Sequence, residues 1–167
     1  KNLKMQFIDL KSQYNIIKED VINSIETVLD HGQYIMGPEV IELEENLEHY
    51  VGAKHCVSCS SGTDALLMSL MALGVGPGHA VFTTPFTFVA TAEVISLVGA
   101  TPVFVDIDSK TYNIDPQKLA IEVKRISEEE NLTPKAIIPV DLFGLPADYR
   151  SIQTIANEYN LFVIEDA

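Results

Sequence analysis

Cysteine is scarce in this 167-residue chain, basic residues are outnumbered by acidic ones, and no apolar run is long. Each shortage removes a class of protein. The two cysteines, Cys56 and Cys59, stand in a CxxC spacing, but a zinc site needs a second ligand pair, and His31, His49, His55 and His79 show no paired spacing. His55 adjoins Cys56, yet neighbours on a strand point to opposite faces. The thiols are therefore read as small buried groups on a strand, and no metal is expected. With 11 Lys and Arg against 24 Asp and Glu, the formal net charge is −13. No basic stripe can then neutralise a phosphate backbone, and nucleic acid is not an expected partner. No apolar stretch approaches the roughly 20 residues of a membrane span, and residues 1–10 lack the apolar centre of a signal peptide. No membrane partner and a cytoplasmic location are the expectation. GxGxxG and the Walker GK[ST] are missing as well, which removes the dinucleotide fingerprint and the P-loop.

What is present is enough apolar content, 47% of residues, to bury a core of ordinary size. The densest charge run, SEEEN at residues 127–131 after Lys124 and Arg125, fits a solvated helix end. Residues 1–52 read as a helical segment. Ile17, Val21, Ile25, Val28 and Leu29 recur at helical spacing until His31-Gly32; a second helix follows Gly37-Pro38, with Val40, Leu43, Leu47 and Tyr50 on one face, and Gly52 stops it.

From residue 53 to 167 the pattern alternates. Strands are expected at 55–58, 81–84, 102–105, 136–140 and 161–165, and helices at 63–73, 88–98, 115–124 and 149–159. Near-continuous apolar strands separated by helices imply an α/β fold whose mostly parallel sheet is covered by helices on both faces.

Three segments could carry chemistry. In SGTDAL (61–66), small residues open a helix, so the amides of Gly62, Thr63 and Asp64 would face an anion; a helix capped by Ser61 or Thr63 is the plainer reading of the same residues. Phe88 follows a strand and opens a helix, where it could cover one face of a flat ring or simply pack in the core. Asp166 closes the run Leu161 to Ile164 at the end of a strand. A carboxylate at that depth requires a cation or several donors, and the carboxyl ends of parallel strands are where open α/β sheets bind ligands. Phosphate cradle, ring cover and ring counter-ion together describe pyridoxal 5'-phosphate, whose protonated ring acts as an electron sink.

The same residues carry a family resemblance. FIDL (7–10), GQYIMGPEV (32–40), GTDAL (62–66), ALGVGPG (72–78), FTFVATAE (86–93), PVFVDID (102–108), YNID (112–115) and VIEDA (163–167) resemble the DegT/DnrJ-type nucleotide-sugar aminotransferases, a fold-type-I pyridoxal-phosphate family. The resemblance covers essentially the whole chain and corresponds to the N-terminal part of a member. It implies an incomplete large domain like that of aspartate aminotransferase. Gly62, Thr63 and Asp64 would hold the cofactor phosphate, Phe88 would stack on the pyridine, Asp166 would pair with its nitrogen, and Tyr34 would reach the substrate. It also implies a homodimer, a nucleotide-linked keto-sugar substrate and an amino-acid donor, glutamate by expectation.

The wording of FIDL and GQYIMGPEV is most similar to enzymes that aminate the 3-keto position of a UDP-linked 2-acetamido uronic acid for surface polysaccharide or lipopolysaccharide synthesis. Many members carry His where this chain has Asp141. The family's Schiff-base lysine lies beyond the EDA motif. Lys54, Lys110, Lys118, Lys124 and Lys135 are read as solvated charges, so residues 1–167 alone are expected to be inactive. Two other readings stay open: a sugar dehydratase with His in place of that lysine, and a non-catalytic binding or scaffolding fragment.

Overall fold

The computed structural model describes residues 7–129 and 131–167. The first six residues of the leader reading, and Glu130 of the acidic run, lie outside that set. Two compact units are present, one extending to Ser58 and the other spanning Cys59–Ala167.

In the first unit, helix α1 (Leu10–His31) begins where the Asp9 carboxylate accepts from the Ser12 amide at 3.0 Å and its hydroxyl at 2.6 Å. It ends at Gly32, whose φ of +69° turns the chain in the left-handed region. Helix α2 (Pro38–Val51) has proline in its first turn, where a missing N–H goes unnoticed, and ends at Gly52. His31 Nε2 and Glu39 Oε1, 2.9 Å apart, join the two helices. Neither helix buries a residue fully, and Ile16, Ile22, Ile25 and Leu29 remain exposed.

Residues 55–58, expected as a strand, pair with no strand among the described residues. Their amides are taken by side chains of α2 instead: Cys56 N–H donates to Glu48 Oε1 at 2.8 Å, and Ser58 N–H and Oγ both donate to Glu44 Oε1 at 2.7 Å. An extended apolar stretch reads as a strand whether its partner is a ladder or a row of carboxylates. The thiols differ from expectation for the same reason, since Cys56 is only half-buried and Cys59 is exposed.

The second unit holds α3 (Gly62–Ala72), β1 (His79–Thr83), α4 (Ala90–Leu97), β2 (Thr101–Phe104), α5 (Pro116–Glu128), β3 (Thr133–Ile138), α6 (Tyr149–Tyr159) and β4 (Phe162–Val163). The four strands form one parallel sheet in the order β2-β1-β3-β4. Ala80 to Thr83 pair with Thr101 to Phe104 on one side; on the other, a register shift after Ala80 sets Val81 opposite Ala136.

Alternation then sorts the core. Phe82 and Ile137 face Leu119, Val123 and Ile152 of α5 and α6, whereas Val81 and Ile138 face Leu66, Leu70, Val94 and Ile95 of α3 and α4. Both faces are covered, as the apolar strands require. Each fully buried Leu, Ile, Val or Phe contributes roughly 1.5–3 kcal/mol.

The direction in which successive strands are added to the sheet reverses between the two central strands, β1 and β3. From β1 the chain crosses to β2 on one side, and from β3 it crosses to β4 on the other. Their carboxyl ends therefore flank a switch point, the standard position of a ligand crevice.

Candidate active site

Asp166 sits at this carboxyl edge. Pairing with β3 continues past Val163: Ile164 N–H donates to Ile137 O at 2.9 Å, Asp166 N–H to Pro139 O at 3.1 Å, and Asp141 N–H to Asp166 O at 2.9 Å. The backbone of Asp166 is thus held on both sides. Its Oδ2 accepts from Thr91 Oγ1 at 2.7 Å, and Oδ1 takes no hydrogen bond among the described residues. Thr91 lies in the first turn of α4 and stands 2.9 Å from Thr87 Oγ1.

Phe88 precedes α4, which starts two residues later than expected, at Ala90. The Phe88 carbonyl accepts from Thr91 N–H at 3.3 Å, so Phe88 and Asp166 meet through one threonine. Phe88 is 71% exposed, which removes the core-packing reading.

Helix α3 reaches the same edge from the opposite direction. Only residues 73–78 separate its end from β1, so α3 runs antiparallel to β1. Its 11 residues span about 16 Å, matching the roughly 17 Å of a five-residue strand. Its amino end therefore lies at the carboxyl edge. Ser61 is the N-cap, accepting from the Asp64 amide at 3.1 Å, while Ala65 N–H donates to Ser61 O at 3.0 Å. The Asp64 amide, expected to face an anion, is consumed by this cap. Gly62 and Thr63 keep amides without a partner among the described residues. The Asp64 carboxylate accepts from the Ser60 and Ser61 hydroxyls, which hold its carboxyl below the usual carboxylate range.

Gly62, Thr63, Phe88 and Asp166 thus share one edge of the second unit. Tyr34 belongs to the first unit, exposed in the turn between α1 and α2.

Asp141 follows β3. Its Oδ1 accepts from Ala147 N–H at 2.8 Å and from the Tyr149 hydroxyl at 3.1 Å, closing the loop that leads into α6. Burial, followed by the negative charges of Asp141 and Glu165, raises the Tyr149 phenol far above its ordinary value. Asn113 ties the loop after β2 to the same region, donating to Leu145 O at 2.9 Å and Pro146 O at 3.2 Å. Lys118, read as a solvated charge, is paired: its Nζ donates to Asp106 Oδ2 at 2.9 Å.

Thr87, Thr91, Tyr149 and Asn113 escaped the sequence reading. Only Thr91 left a trace, lying three residues after Phe88 and hence one helical turn along. A cavity of ≈ 550 Å³ opens between the starts of α5 and α6, lined by Asp108, Asn113, Asp115, Leu145, Asp148 and Ser151, and none of the candidate residues borders it. Among the described residues no group of three or more His, Cys, Asp or Glu is arranged to hold a metal ion, and no helix is long and apolar enough to cross a membrane.

Comparison with known proteins adds the following. The family described as the DegT/DnrJ/EryC1/StrS aminotransferase family matches residues 15–167. The chain is similar to a UDP-2-acetamido-2-deoxy-3-oxo-D-glucuronate aminotransferase of Pseudomonas aeruginosa, at 55% identity over 165 residues, covering 98% of this chain and 44% of that protein. Among solved structures, a DegT DnrJ EryC1 StrS aminotransferase from Brucella abortus superimposes with a TM-score of 0.95 at 53% identity, covering 98% of this chain and 44% of that one. NtdA from Bacillus subtilis, with bound cofactor PMP, gives a TM-score of 0.87 at 36% identity over 100% of this chain and 37% of its own. The chain spans less than half the length of these relatives.

Proposed function

The chain belongs to the DegT/DnrJ/EryC1/StrS aminotransferase family, and from that premise we propose that the whole protein is a pyridoxal-phosphate-dependent aminotransferase acting on a keto-sugar nucleotide. The observation that carries this reading is the Asp166 carboxylate, fixed at the carboxyl edge with one oxygen engaged and one open.

The residues fit the cofactor. Gly62 and Thr63 offer two amides at a helix amino end, where a phosphate is favoured by both hydrogen bonding and the helix dipole. Phe88 offers an exposed aromatic face. Asp166 offers an acceptor that would hold a proton on the ring nitrogen. When bound, the pyridoxal group supplies an electron sink for charge developing at the substrate carbon. The chain's own part is to bind the phosphate, cover the ring and hold that proton. The amine that moves protons at the reacting carbon is assigned to a lysine beyond Ala167, and Lys118 is already engaged with Asp106.

The substrate proposed is a UDP-linked 3-keto 2-acetamido uronic acid, with glutamate as donor, in surface polysaccharide synthesis in the cytoplasm; the support is the likeness to the Pseudomonas enzyme. Tyr34 is proposed to reach the substrate, and the enzyme is proposed to act as a homodimer, in keeping with the apolar side chains exposed on α1. Full-length protein supplied with pyridoxal phosphate, glutamate and this keto-sugar nucleotide should form the 3-amino sugar nucleotide and 2-oxoglutarate in equal amounts. Cofactor-loaded protein that makes neither product from this or related keto-sugars would refute the reading, and a monomer by size exclusion would refute the dimer.

A further inference from the structure

The helical hydroxyls of the chain mostly bond locally: Ser12 and Ser151 donate to the carboxylates of Asp9 and Asp148, three residues earlier. Ser24, Thr27, Ser69 and Thr154 each turn back to the carbonyl four residues earlier. Thr91, 1% exposed, instead reaches a carboxylate 75 positions away, lying 2.7 Å from Asp166 Oδ2, and stands 2.9 Å from Thr87 Oγ1. An ionised carboxylate only accepts, so Thr91 must donate its one proton to Asp166, and its oxygen must then accept from Thr87. The result is a directed chain, Thr87 to Thr91 to Asp166.

The consequence is geometric. Hydrogen bonds to Pro139 and Asp141, in the segment that follows β3, hold the Asp166 main chain through both its N–H and its C=O. Thr91 is β-branched and stiff at χ1, and its bond to Oδ2 restrains the side-chain torsions that the main-chain bonds leave open. With Oδ2 claimed, Oδ1 is the oxygen presented to a ligand.

We propose that Thr91 is a positioning residue that aims Oδ1 of Asp166 at the ring nitrogen of the cofactor, with Thr87 setting the direction of the Thr91 proton. The inference rests on the reading of Asp166 as ring counter-ion and goes beyond it in naming what orients that group.

The test uses full-length protein carrying Thr91→Val, Thr91→Ser or Asp166→Asn. The readouts are the cofactor dissociation constant, the pH midpoint of the bound cofactor's visible absorbance, and the melting temperature of the cofactor-free protein. Thr91→Val keeps the shape and removes the donor; cofactor binding should weaken about 10-fold, the scale of one lost hydrogen bond to a charged group, and the pH midpoint should move. Thr91→Ser should restore both. A merely structural role would lower the melting temperature without moving the midpoint, and that result would overturn the proposal. So would an unchanged Thr91→Val beside an altered Asp166→Asn. If Asp166→Asn itself changes neither binding nor midpoint, the counter-ion reading is wrong and the Thr91 proposal falls with it. Should Thr91→Val fail to fold, Thr87→Val takes its place: a midpoint shift in the same direction supports the chain, and none overturns it.

Discussion

Thr91 and Asp166, 75 positions apart in sequence, are joined by a 2.7 Å hydrogen bond that ties the first turn of α4 to the end of the sheet. Through it the aromatic segment after β1 and the carboxylate after β4 become parts of one site. The bond also marks which substitutions should touch chemistry and which should touch only stability.

On the proposed reading, replacement of Asp166 by Asn in the full-length protein should leave the phosphate anchoring proposed for Gly62 and Thr63 largely intact. Turnover should fall by about 100-fold or more, the range for loss of a group that holds or moves a proton at the reacting system. Steady-state kinetics alongside cofactor titration separates the two effects. Turnover equal to wild type would remove Asp166 from the mechanism.

Phe88 and Phe82 should respond in opposite ways to truncation. Phe82 is 0% exposed at the centre of the sheet, so Phe82→Ala should destabilise by about 3–5 kcal/mol. Phe88 faces outward, and Phe88→Ala should leave stability within about 0.5 kcal/mol while weakening cofactor retention. Urea denaturation and cofactor dissociation, measured on both variants, check the contrast.

Two glycines offer a second contrast. A Cβ at Gly37 would fall on the Gln33 carbonyl oxygen, whereas at Gly62 it would meet nothing within 4 Å. Gly37→Ala should therefore lower the melting temperature by several degrees, since the turn between α1 and α2 must deform. Gly62→Ala should fold normally, with at most about 1 kcal/mol of change in either direction, and lose affinity for phosphate-bearing ligands. Wild-type phosphate affinity in Gly62→Ala would argue against close approach of an anion there.

The Tyr149 phenol carries a pH prediction. Its folded-state pKa is raised above the ordinary value of 10.0 by burial and by Asp141. In the unfolded chain Tyr149 loses its proton near pH 10, while in the folded protein it retains it. The stabilising contribution is thus complete below pH 10 and declines as pH climbs from there toward the folded-state value. Tyr149→Phe should remove this alkaline component and lose about 1 kcal/mol at neutral pH, the scale of one hydrogen bond. Denaturation curves at pH 8 and pH 11 should show a smaller difference for the variant than for wild type.

Much of the architecture was legible before any coordinates. Gly32 and Gly52 stop α1 and α2 because each adopts a positive φ that other residues resist, and Pro38 opens a helix for an equally local reason. The apolar runs ending at Thr83, Ile138 and Val163 are strands, and the two central ones, ending at Thr83 and Ile138, are covered on both sides by helices. Residues 55–58 were misread because local pattern registers extension and apolarity but not the identity of the hydrogen-bond partner, here Glu44 and Glu48. Cys56 and Cys59 were misplaced by the same error. The Asp64 amide was assigned outward because the sequence allows either Ser61 or Thr63 as cap, and only the backbone at Ser61 decides that its hydroxyl turns inward.

Local chemistry, then, determined the helix ends, the alternation that makes a doubly covered parallel sheet, and the residue types that suit a phosphate and a flat cationic ring. These depend on neighbours within a few positions, and that information travels with the chain. Tertiary structure alone decided that Thr91 holds Asp166, that Asp141 turns back to Tyr149 rather than toward the edge, and that Phe88 stays clear of the core. The first depends on strand order and crossover direction, which bring segments 75 positions apart to 2.7 Å, and the others on how the loops fold over the sheet, none of which marks the spacing of residues along the sequence.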